Sequence, residues 1–131
     1  VLGIDTNVLV RLLVEDDAEQ RARAQTLIER TAARGEDVLI SLVALIETEW
    51  VLRSRYRLNK VQSIATLRGL LETRELLFED EPSVEQALVH WADSTVGFAD
   101  CLIAAHNLRL GCIATATFDS KASQLPGFVG A

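Results

Sequence analysis

The sequence predicts an α/β fold: a single domain with a central parallel sheet of four to five strands and helices on both faces. Three observations carry that expectation. Short apolar runs of strand length alternate with longer segments of helical periodicity. The short runs are continuously apolar rather than alternating, as in a sheet covered on both sides. No Gly/Ser-rich or Pro-rich linker and no fixed-period repeat divides the 131 residues, and a composition 49% hydrophobic and 24% charged can fill one sizeable core.

In chain order, strands are expected at Val1 to Ile4, Val38 to Ser41, Leu76 to Phe78 and Cys112 to Ala116, with a weaker one at Phe128-Val129. Helices are expected at about Asn7 to Val14, Ala18 to Arg34, Leu42 to Tyr56, Lys60 to Thr73, Ser83 to Ser94 and Phe98 to Leu110. Gly35 and Gly111 read as helix stops, and Pro82-Ser83 as a helix opening. The longest apolar stretch, Val38 to Ile46, ends at Glu47, well short of the run of about 20 apolar residues that spans a membrane. A soluble protein follows, and with no signal segment ahead of the first strand the expected location is cytoplasmic. Cys101 and Cys112 lie in apolar surroundings at no metal or redox spacing and are expected to be buried free thiols.

The formal net charge is -6, with 19 acidic against 13 basic residues. That balance argues against holding duplex nucleic acid by bulk charge, and it raises the question of whether some carboxylates form a site. In parallel α/β sheets, sites form beyond the carboxyl ends of the strands. Asp5 follows the first strand, and Asp119 follows the fourth within Thr117-Phe118-Asp119-Ser120; each is also a normal helix-cap or turn residue. Asp100 lies one turn into a helix so apolar that it is expected to be buried on nearly all sides, where an unpaired acid is costly. Glu47 and Glu49 share a helix that is apolar on most faces, so periodicity does not say which points inward; Glu49 is also spaced for a surface ion pair with Arg53. If acids from these four places converged they would repel one another unless cations lay between them, and hard oxygen ligands without His or Cys select Mg2+ or Mn2+ rather than Zn2+.

Other polar groups have simpler readings. His90 and His106 read as surface or core histidines, and the runs Glu15-Asp16-Asp17 and Glu79-Asp80-Glu81 as solvated loops. Arg53, Arg55, Arg57 and Lys60 are either helix-end cations that suit the dipole or, with Arg11, a track for phosphates.

The chain resembles PIN-domain ribonucleases, specifically VapC-type toxins of toxin–antitoxin pairs. The resemblance rests on Gly3-Ile4-Asp5-Thr6-Asn7-Val8-Leu9-Val10-Arg11, on Glu47-x-x-Trp50-Val51-Leu52-x-Ser54-x-Tyr56 and on Phe98-Ala99-Asp100-Cys101-Leu102-Ile103-Ala104-Ala105. Thr117-Phe118-Asp119-Ser120-Lys121-Ala122 and Leu125-Pro126-Gly127-Phe128 follow in the family's order. It implies an acidic metal site on Asp5, Glu47, Asp100 and Asp119, choosing Glu47 over Glu49, with Thr6, Asn7 and Thr117 in support. Gly97 departs from the pattern, since relatives often carry a further Asp there.

The resemblance further implies an endoribonuclease using Mg2+ or Mn2+ that cuts structured RNA, tRNA or rRNA, leaving a 5'-phosphate and a 3'-hydroxyl. It implies a homodimer and a VapB-like antitoxin, for which Asp16 to Arg34 with Leu27 and Ile28, and the face of Leu67, Leu70 and Leu71, are candidate contacts. Two other readings compete. A haloacid-dehalogenase-like phosphatase would want an Asp where Asn7 stands and a catalytic Lys, for which only Lys60 and Lys121 are available. A catalytically inactive PIN-fold module that binds RNA or protein has no reason to keep four costly acids.

Overall fold

Five of the six helices begin at a side chain that accepts the backbone N–H three residues on: Asp5, Asp17, Ser41, Asn59 and Asp80. Each such cap stabilises its helix by about 1 kcal/mol. The computed structural model describes all 131 residues. Its elements are β1 (Leu2–Gly3), α1 (Thr6–Leu13), α2 (Ala18–Ala33), β2 (Val38–Ile40), α3 (Leu42–Ser54), α4 (Lys60–Leu71), β3 (Leu76–Phe78), α5 (Glu81–Ala92), α6 (Phe98–Arg109), β4 (Thr115–Thr117) and β5 (Phe128–Gly130), with a 3-10 turn at Ala122–Gln124 before β5. No helix is long and apolar enough to cross a membrane.

The chain folds as two compact units, Val1–Glu79 and Asp80–Ala131. In the first, β1, β2 and β3 form a parallel sheet in that order, with Leu2 opposite Val38 and Ile40 opposite Phe78. Val38 and Ile40 are buried, and around the sheet the helices bury Leu9 and Val10 from α1, Ile28 from α2, Leu45 and Leu52 from α3, and Leu67 and Leu70 from α4. Each fully buried leucine stabilises the core by about 2 kcal/mol. Ile28, Leu67 and Leu70 are therefore core residues closed to a partner; of the apolar residues expected to meet one, Leu27 is exposed.

The second unit is built on α5 and α6. Val84, Ala87, Leu88 and Trp91 are buried on α5, and Phe98, Cys101, Leu102 and Ala105 on α6, with the Trp91 and Phe98 rings 5.3 Å apart between centroids. β4 and β5 pair in parallel, Thr115 opposite Phe128. Gly127, at φ 89°, turns the chain into β5 in a left-handed conformation that suits glycine.

The expected five strands are present and all pair in parallel, as three-stranded and two-stranded sheets. The fourth begins later than its apolar run suggests. Gly111, at φ 97°, closes α6 and the Cys112 N–H bonds the Asn107 carbonyl at 3.0 Å, so Cys112 belongs to the turn. Its thiol is exposed rather than buried, while Cys101 is buried as expected; both are free.

Candidate active site

Asp5 is fixed by the step from strand to helix. Its extended backbone brings Oδ1 to 3.0 Å from the Val8 N–H, so one carboxylate oxygen caps α1 and the other is left free. Asp5 is exposed and lines a cavity of about 400 Å³ between α1 and α2, together with Asn7, Val8, Arg11, Gln20, Arg23, Ala24 and Leu27.

The structure separates the two glutamates of α3. Leu45, Thr48, Glu49 and Leu52 form its buried face, whereas Val43, Glu47 and Trp50 form an exposed stripe at i, i+4 and i+7. Glu49 Oε2 lies 3.2 Å from Arg53 Nε. The expected ion pair forms, but its carboxylate is buried and only the guanidinium is at the surface. Glu47 keeps an unpaired carboxylate.

In the second unit, Asp100 lies in the first turn of α6. The helix is not buried on nearly all sides: Asp100 and Ile103 are exposed, because the apolar residues between them are spaced to bury only one face. The carboxylate thus pays no burial penalty and faces the positive end of the helix dipole, where Gly97 provides no side-chain cap. Asp119 is held by its own loop. Its Oδ1 accepts the N–H groups of Lys121 at 2.8 Å and Ala122 at 3.1 Å, and the Thr117 hydroxyl oxygen accepts the Asp119 N–H at 3.0 Å.

Asp5, Glu47, Asp100 and Asp119 are all exposed, and none forms an ion pair with Lys, Arg or His. Asp5 and Glu47 belong to the first unit, Asp100 and Asp119 to the second. No three His, Cys, Asp or Glu side chains stand together as a ready-made metal cage. By type, however, the donors fit a hard divalent cation, being oxygen-only carboxylates that no basic side chain neutralises.

Two of the arginines expected to meet RNA are already engaged. Arg11 Nη1 is 3.2 Å from both Asp16 Oδ1 and the Tyr56 hydroxyl, and its Nε donates to Gln20 Oε1 at 2.6 Å. Tyr56 donates to Asp16 Oδ2 at 2.5 Å, and this bond, helped by the Arg11 charge against the effect of burial, holds the Asp16 carboxyl below its ordinary range. Arg53 is held by Glu49. Arg55 and Arg57 remain exposed where α3 ends, Arg57 in the left-handed region at φ 56°.

The run Glu15-Asp16-Asp17 is a largely exposed turn, as expected, though its side chains have partners, whereas Glu79-Asp80-Glu81 is not a solvated loop. Glu15 pairs with Arg21, Asp16 with Arg11, and Asp17 caps α2. Glu79 Oε1 accepts the Leu42 N–H at 2.9 Å, and Asp80 is buried at 8% exposure. Asp80 caps α5, accepts the Ser83 hydroxyl, and meets His106 and Arg109 of α6. The sequence signals for this group were the cap pattern Asp80-x-Pro82-Ser83 and the His106-x-x-Arg109 spacing on one helix face.

A solved structure of VapC20 from Mycobacterium tuberculosis, described as a toxin that cleaves the sarcin-ricin loop, is similar at 22% identity and a TM-score of 0.43, covering 94% of this chain and 93% of that one. No curated protein matches. The family model for the PIN domain matches residues 3–127, which sets aside the haloacid-dehalogenase reading. That match takes in all the ordered motifs from Asp5 to Asp119 and runs through both units: the chain belongs to the PIN domain family.

Proposed function

We propose that this chain is a Mg2+- or Mn2+-dependent endoribonuclease, the toxin of a VapBC-like pair, that cuts structured RNA such as tRNA or rRNA and so stops translation. The observation that carries the reading is the PIN-family match over residues 3–127, within which Asp5, Glu47, Asp100 and Asp119 fall at the family's motif positions. All four stand exposed with no basic partner, so each carboxylate is open to a cation.

In this reading Asp5 and Asp100, with Glu47 and Asp119, hold the ion. When bound, the ion supplies Lewis acidity toward the attacked phosphodiester. Asp5 uses Oδ1 to fix its own position on α1 and presents its second oxygen. Asn7, beside it in the cavity wall, offers an amide to a phosphate oxygen. Thr117 holds Asp119 in place through the Asp119 N–H, and Thr6 occupies the first turn of α1. The products are a 5'-phosphate and a 3'-hydroxyl. A VapB-like antitoxin and a second copy of the chain are the proposed partners, and the cytoplasm the proposed location.

Sequencing of RNA 5' ends after induced expression tests the reading. New ends at a defined site, absent with Asp5→Asn, are expected; identical end profiles for the two proteins would overturn it.

A further inference from the structure

We infer that the face of α2 bearing Arg23, Leu27 and Arg30 is the track along which the RNA strand leaves Asp5, an inference that rests on the ribonuclease reading. Two cavities lie along this face. The first, of about 400 Å³, contains Asp5 and reaches Arg23 and Leu27. The second, of about 440 Å³, is lined by Arg23, Leu27 and Arg30. They share two residues, so the surface is continuous from the carboxylate along the helix.

Arg11 and Arg53 are neutralised by Asp16 and Glu49, whereas Arg23 and Arg30, like Arg55 and Arg57, form no ion pair. Arg23 and Arg30 differ from Arg55 and Arg57 in lining the cavities that run from Asp5. They stand at i and i+7, on one face and about 10 Å apart along the axis. Leu27, at i+4, lies between them and is exposed. Two uncompensated guanidinium groups flanking an apolar side chain match a strand that alternates phosphates with riboses and bases. Asn7 and Gln20 line the cavity nearest Asp5, and Gln20 Oε1 is fixed by Arg11, which orients its amide. The occupant is RNA rather than an acidic peptide because the track starts at the carboxylate that the ribonuclease reading places at the phosphodiester. Arg23 serves a phosphate close to the cut and Arg30 one further along; neither touches the reacting atoms, so both are binding residues.

The test is binding of a fluorescein-labelled single-stranded RNA 12-mer in EDTA at several salt concentrations, with cleavage measured separately in Mg2+. The Arg23→Gln/Arg30→Gln protein is expected to bind about tenfold more weakly at 0.1 M salt, with a salt slope smaller by about 0.7 per arginine removed. Arg68→Gln, an exposed site on α4 outside both cavities, should match the unaltered protein, and thermal midpoints should be unchanged. RNA binding retained by the double variant overturns the inference, as does loss of binding to an acidic 12-residue peptide with RNA binding intact. An unaltered protein that cleaves while the double variant binds RNA normally refutes the track and leaves the ribonuclease reading standing. An unaltered protein that binds through these arginines without cleaving does the reverse.

Discussion

Asp80 Oδ2 lies 2.7 Å from His106 Nδ1, so the carboxylate that caps α5 also holds an imidazole of α6. Arg109 Nε adds a contact of 2.8 Å to Oδ1. Asp80→Asn leaves both bases without their anion while preserving a capping side chain. Urea unfolding at pH 7 should show a loss of about 3 kcal/mol; a loss below about 0.5 kcal/mol would mean that this group does not fasten α5 to α6.

The same carboxylate makes stability depend on pH. Burial pushes the Asp80 carboxyl up, but hydrogen bonds from Ser83 and His106 and the charge of Arg109 outweigh it and leave the group below its ordinary range. A depressed carboxyl contributes fully above its unfolded value, near about 4, and that contribution is lost as pH falls further. Unfolding midpoints measured from pH 7 down to pH 3 should fall less steeply for Asp80→Asn than for the unaltered protein. Parallel curves would contradict this.

The two glutamates of α3 should separate stability from activity. Glu49→Gln removes the charge that faces Arg53 from a buried position and should cost about 1 kcal/mol or more, with RNA cleavage retained. Glu47→Gln should leave the unfolding midpoint unchanged and reduce cleavage by about ten- to a hundredfold. Exchange of these two outcomes would move the catalytic role to Glu49.

At Asp5, amide and methyl replacements should differ in fold but not in activity. Asn caps helices as well as Asp, so Asp5→Asn should keep full stability, whereas Asp5→Ala should lose about 1 kcal/mol through the cap on α1. Both should abolish cleavage, as should Asp100→Asn and EDTA, with Mg2+ or Mn2+ restoring the unaltered protein after chelation. Cleavage by purified Asp5→Asn and Asp100→Asn at the unaltered rate would remove both residues from the site.

Tyr56→Phe deletes the hydroxyl that bridges Arg11 and Asp16. The expected cost is about 1 kcal/mol by urea unfolding, with Arg11 freed on one side. Stronger RNA binding by this variant would show that Arg11 becomes available to phosphate once released.

What the sequence made legible was local. Asp5 and Pro82 marked helix starts, Gly35 and Gly111 marked stops, and six helices lie within a few residues of their expected bounds, because caps and breakers act over one turn. Partners distant in sequence were not legible. Asp80 resembled a loop acid because nothing near it announces that His106, 26 positions later, will meet it. Glu49 and Glu47 could not be told apart because α3 is apolar on more than one face, and only packing decides which face is covered. The four candidate acids rest on motif order, which carries chemistry that composition does not.

Cys112 stands in the open turn after α6 while Cys101 is 1% exposed. A maleimide dye would therefore attach to the folded protein at one place, with no engineered cysteine, since the other thiol, Cys101, is buried. Both tryptophans lie elsewhere, Trp50 on the exposed face of α3 and Trp91 in the core beside Phe98. Energy transfer from Trp91 to that label, both within the second unit, would follow this unit as it unfolds, on the unaltered chain.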